Sequence, residues 1–102
     1  GLAQSALKEQ HAAIRDYTKV LLLDKTYAFA YNSRGVEWFK LGQYEKAQQD
    51  YSLAIKYAPS TALAYYNRGL CWEQLKHPKK AARDFKKANR LRGYDGLELA
   101  TS

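Results

Sequence analysis

The sequence predicts an all-α fold, a solenoid of antiparallel helix-turn-helix repeats. Three observations predict it: self-similarity at a spacing of 34 residues, apolar positions at helical periodicity within each unit, and glycine or proline where helices must end. Ala28-Phe29-Ala30-Tyr31-Asn32-Ser33-Arg34-Gly35-Val36-Glu37-Trp38 aligns with Ala62-Leu63-Ala64-Tyr65-Tyr66-Asn67-Arg68-Gly69-Leu70-Cys71-Trp72. Leu41, Ala47, Asp50 and Ala54 then recur as Leu75, Ala81, Asp84 and Ala88, with Tyr51 matched by Phe85. The two windows share 11 identities, against about two or three for unrelated windows of this composition.

The same register runs backwards to Ala13, Asp16 and Tyr17, and places Gly1 opposite Gly35. The chain therefore divides into a partial first repeat (1–27), a second repeat (28–61), a third repeat (62–95) and a segment 96–102 expected to begin a capping helix or tail. We read these as one domain of 102 residues, a length suited to a single core.

Each repeat reads as two helices. Ala28, Tyr31, Gly35, Trp38 and Leu41 share one face of the first. Gly42 ends it, because glycine takes the left-handed conformation common at helix C-termini. Tyr44, Ala47, Tyr51, Ala54 and Ile55 define the second helix, which Pro59 stops. In the third repeat His77-Pro78 makes the turn and Gly93 replaces the stopping proline. In the first repeat Lys25 stands at that place.

Tyr31-x-x-Arg34-Gly35-x-x-Trp38, Ala47-x-x-x-Tyr51 and Pro59, repeated as Tyr65-x-x-Arg68-Gly69-x-x-Trp72 and Ala81-x-x-x-Phe85, resemble the tetratricopeptide repeat signature of aromatic, small residue, aromatic, spaced alanines and proline. The leucine usual before the glycine is arginine in both full repeats. The resemblance implies a right-handed superhelix whose first helices line a concave surface. It also implies a scaffold or adaptor that holds other proteins, and not an enzyme. One repeat cannot bury its apolar face alone, so stacking makes the core.

Arg34 and Arg68 fall among core positions, where a charge needs a partner. Asp50 and Asp84 recur with the same period, which predicts the pairs Arg34–Asp50 and Arg68–Asp84. The partner-binding groove is expected at the first-helix residues that the core does not claim: Phe29, Asn32, Ser33, Val36, Phe39 and Lys40, then Leu63, Tyr66, Asn67, Leu70, Glu73 and Gln74. Apolar and aromatic side chains would seat those of a protein or peptide partner, and asparagine donates and accepts toward a peptide backbone. The alternative is that some of them pack on neighbouring helices. A family mode that grips a C-terminal carboxylate through lysines and asparagines finds Asn32 and Val36 where its first lysine and asparagine would fall. Only Asn67 matches in kind, so that mode is not expected.

The net charge is +7, and eight of the 17 basic residues lie between Lys76 and Arg92, where Asp84 is the only acid. Lys79, Lys80, Arg83, Lys86, Lys87 and Arg90 fall within an arc of roughly 120° on one helix. This basic stripe is either a solvated outer face or a surface for an acidic partner or nucleic acid. No aromatic residue interleaves with it to stack on bases. A third reading is self-association through open repeat ends.

Other classes have little support. Mean hydropathy is −0.63 and no apolar run approaches a membrane span. His11 and His77 stand apart, no serine or cysteine has triad spacing, and glycine-rich phosphate loops and metal-ligand clusters are absent, so no metal or cofactor is expected. Cys71, the only cysteine, is read as buried packing; it fits a reducing compartment such as the cytoplasm. The absence of methionine suggests a piece of a longer protein.

Overall fold

The computed structural model describes residues 2–93, with side chains from residue 6 onward. Segment 96–102, expected as a cap or tail, lies outside the described residues. Five helices follow one another: α1 (Leu2–Leu23), α2 (Ala28–Lys40), α3 (Tyr44–Tyr57), α4 (Ala62–Gln74) and α5 (Pro78–Arg92). Sequence-adjacent helices pack on each other, giving a layered all-α solenoid of helix-turn-helix repeats. In addition α2 approaches α4 directly, whereas α1, α3 and α5 do not approach one another. The first helix of each repeat therefore lies on the inside of the curve and the second on the outside.

The turns follow the residues that make them. Gly42 takes φ +77°, open to glycine without strain. Its counterpart Lys76 takes φ 66°, a left-handed conformation that costs an L-residue about 1 kcal/mol. α3 ends at Tyr57, two residues before Pro59, and α5 opens on Pro78 and closes at Gly93 with φ 79°. At the end of α1, where Lys25 replaces the proline, Asp24 makes the turn. Its Oδ1 accepts hydrogen bonds from the Thr26 amide (3.0 Å) and hydroxyl (2.7 Å). These bonds to the ionised form lower the Asp24 pKa. Through Leu7–Glu9, the register of the Gly42 turn, α1 continues as helix. Lys8 stands there in place of glycine, and α1 runs unbroken through that register into the second helix of the first repeat.

Two clusters make the core. Leu21, Ala30, Tyr31, Ala54 and Ala64 join the first three units, and Ala47, Tyr51 and Cys71 join α3 to α4. The helices of a repeat meet at glycine. A Cβ on Gly35 would lie 2.6 Å from Tyr51 Cε1, and one on Gly69 would lie 2.6 Å from Phe85 Cε1.

Cys71 is fully buried, and burial pushes its thiol from the ordinary 9.0 up to about 12. That shift leaves far less of the thiolate, which is the reactive form. Modification of Cys71 by a thiol reagent at mildly alkaline pH should therefore proceed only as fast as the protein unfolds. Rapid labelling of the native chain would contradict this packing.

Candidate functional site

Both predicted charge pairs form. Arg34 Nε and Nη2 donate to the two oxygens of Asp50 at 2.8 and 2.7 Å, and Arg68 does the same to Asp84 at 2.7 and 2.9 Å. This bidentate bonding holds both guanidinium pKa values above their usual range, against the opposing effect of desolvation. A third partner was not foreseen. Arg34 Nη1 donates to Thr18 Oγ1 (3.1 Å) on α1, and Arg68 Nη1 to Ser52 Oγ (3.2 Å) on α3. Thr18 and Ser52 are one repeat apart, and that shared period was the available signal. Each arginine thus clasps the second helix of its own repeat and that of the preceding one. The clasps tie the second helices of neighbouring repeats together.

The inner surface is built by α2 and α4. Phe29, Leu63 and Tyr66 are the prominent apolar side chains there, at 62%, 48% and 41% exposure. Phe29 leans on the Tyr27 ring (5.9 Å between centroids), and Tyr66 contacts Phe85 (5.5 Å) and has the Arg92 guanidinium over its ring (5.5 Å). Between Phe29, Asn32 and Leu63 opens an apolar hollow of about 300 Å³, completed by Ala28, Ala54, Ala58 and Thr61. Its alanine floor and the Ala58–Thr61 turn were not in the sequence-based set, because they belong to the core and to a loop. Asn67 Nδ2 donates to Asn32 Oδ1 at 3.3 Å, joining the two repeats across the surface.

The other expected groove residues divide. Val36 and Phe39 are half-buried against the Ala47–Tyr51–Cys71 cluster, and Phe39 meets Tyr44 edge-on at 5.0 Å, so both are largely claimed by packing. Ser33 and Leu70 are half-buried; Glu73 and Gln74 are exposed. Lys40 lies 3.5 Å from Glu37 Oε2, an oxygen that is buried without a hydrogen bond. That ammonium offsets the charge from one helical turn away without the alignment a hydrogen bond needs.

On α5, Lys79, Lys80, Arg83, Lys86 and Arg90 are exposed and Lys87 is half-buried, while Ala81, Asp84 and Ala88 face inward. Lys80 lies over the Trp72 ring at 4.6 Å, as Lys46 lies over Trp38 at 4.5 Å one repeat earlier. The described residues contain no group of side chains able to hold a metal ion and no helix long and apolar enough to cross a membrane.

Comparison with known proteins fits this geometry. Models of the tetratricopeptide repeat match residues 28–61 and 62–94. No curated protein matches the chain by sequence. Among solved structures, MamA superimposes with a TM-score of 0.81 at 29% identity, over 87% of this chain and 52% of MamA. The chain thus spans about half the length of that relative. The tetratricopeptide domain of Arabidopsis OM64 gives 0.80 at 31% identity, over 82% of this chain and 69% of that one. The second such domain of Spaghetti (RPAP3), bound to the HSP90 peptide SRMEEVD, gives 0.79 at 28% identity, over 80% and 76%. With two consecutive matched repeats and this fold, the chain belongs to the tetratricopeptide repeat family.

Proposed function

We propose that the chain is a non-catalytic scaffold that holds a partner peptide or helix on the inner surface of α2 and α4. The observation that carries this reading is the apolar hollow between Phe29 and Leu63, bordered by the Asn32–Asn67 amide pair. Exposed apolar and aromatic groups around a concavity, beside amides able to pair with a backbone, have the makeup of a protein-binding site. The Asn32–Asn67 bond is long enough to exchange for bonds to a partner backbone at little loss. The peptide-bound relative supports the partner class. The family mode that grips a C-terminal carboxylate is not carried over, since Asn32 and Val36 stand where that mode needs lysine and asparagine.

The test is selection of binders from a displayed peptide library, followed by calorimetry on variants. Phe29→Ala and Leu63→Ala should each weaken a selected peptide by about tenfold. Asn67→Ala should do so by about threefold. SRMEEVD should not bind. Affinity unchanged in all three variants would remove the function from this surface.

A further inference from the structure

The outward face of α5 differs in kind from the faces that α1 and α3 turn to the next repeat. From α1, Thr18 bonds Arg34 and Leu21 is buried against Ala30 and Tyr31. From α3, Ser52 bonds Arg68 and Ile55 packs on the cluster containing Ala64. One repeat further on, these places are Lys86 and Asn89. Lys86 would meet the arginine of a further repeat as a like charge, and Asn89 offers no apolar contact. Lys86 and Asn89 thus do not reproduce the contacts by which α1 and α3 hold the next repeat, and Lys79 and Arg83 are exposed, as are Glu45 and Gln49 at the same places on α3.

The charge of the outward face of α5 is one-sided. Lys79, Arg83 and Lys86 form a row within about 60° of arc, each roughly 5 Å of rise from the next. None of the three forms an ion pair among the described residues, and Asp84, the acid of this helix, is buried beneath them on Arg68. At the start of the row a hollow of about 380 Å³ is lined by Lys76, His77, Pro78, Lys79, Lys80 and Arg83. Lys76 supplies a cation to its rim from a backbone conformation that glycine holds in the preceding repeat.

We propose that this face of α5 docks an acidic protein segment, laid along the helix with carboxylates one helical turn apart. Opposed charges at matching spacing bring such a segment in and fix its register. Nucleic acid is disfavoured because Trp72, the aromatic ring beside these cations, is already covered by Lys80 at 4.6 Å and is less open to stack a base. A bilayer is disfavoured because Ala81 and Ala88 are buried under the row, leaving no apolar rim to insert.

The experiment is fluorescence anisotropy of the full chain with a labelled helical peptide bearing glutamate at every turn. Binding is expected at low salt and should weaken severalfold as ionic strength rises. K79E/R83E/K86E should lose at least about tenfold in affinity, because all three sites turn repulsive. Asn67→Ala should bind as the parent does, which separates this surface from the inner one. The three substituted residues are exposed, and an unchanged melting curve will show that the variant is folded. No binding at low salt, or binding indifferent to the triple reversal, would overturn the proposal. So would tighter binding of duplex DNA or of phosphatidylserine vesicles than of the peptide.

Discussion

Gly35→Ala should lower the melting temperature by roughly 10–20 °C, followed by helical circular dichroism, at about 4–8 °C per kcal/mol for a domain of this size. In an open helix the same change is stabilising by about 1 kcal/mol, since alanine is the better helix former. Here the new Cβ would stand 2.6 Å from Cε1 and 2.9 Å from Cδ1 of Tyr51. That ring is 2% exposed and packed with Ala47 and Cys71, so it has nowhere to move. Overpacking of this kind costs about 3 kcal/mol. Gly69→Ala makes an equally close contact with Phe85, but Phe85 is half-buried on the terminal helix. That ring can yield, and the loss should be about half as large. Equal losses would mean that the two repeats are equally rigid.

Removing the acid of the central clasp should have an effect of the same order. Asp50→Ala leaves Arg34, whose side chain is 19% exposed, with Thr18 Oγ1 and without its counter-charge. Stranding one partner of a largely buried ion pair costs about 3 kcal/mol. Asp84→Ala strands Arg68 in the outermost repeat, where the two side chains are 22% and 8% exposed, and should cost somewhat less. Asp16 occupies the same register but is exposed and unpaired among the described residues, so Asp16→Ala should be near neutral. Urea titration of the three variants gives the ranking. The double replacement R34M/D50L should recover much of the loss of Asp50→Ala, because it removes both charges together. If Asp16→Ala matched Asp50→Ala, the clasp would not be the cause.

The periodic features were legible in the sequence because each repeat solves the same packing problem. Gly35 and Gly69 are required by the rings they accept, and Arg34 with Asp50 was readable because Arg68 and Asp84 repeat it. Features without a counterpart were harder. The hydroxyls of Thr18 and Ser52 are small polar groups, as common on a solvated face as in a clasp. The strained Lys76 is a lysine in the place of Gly42, and nothing local distinguishes it from any lysine in a turn. Val36 and Phe39, expected to face a partner, also pack against the cluster that contains Cys71. A helix wheel separates faces by about 100° per residue and does not reveal how far a neighbouring helix overlaps each face. The alanine floor of the hollow arises where α2, α3 and α4 meet, and that juxtaposition belongs to the third dimension.

The backward reach of the arginines bears on how the array comes apart. In a one-dimensional lattice of units, cooperativity depends on the coupling between neighbours relative to the stability of each unit. A guanidinium that bonds its own aspartate and the hydroxyl of the preceding unit contributes to both quantities at once. Loss of order in one unit therefore weakens the next, and the boundary between folded and unfolded segments is expensive to place inside the array. Among the described helices, α3 is held from both sides, through Asp50 to α2 and through Ser52 to α4, whereas α5 is held from one. Among the described helices, opening should therefore cost most around α3, the one held from both sides.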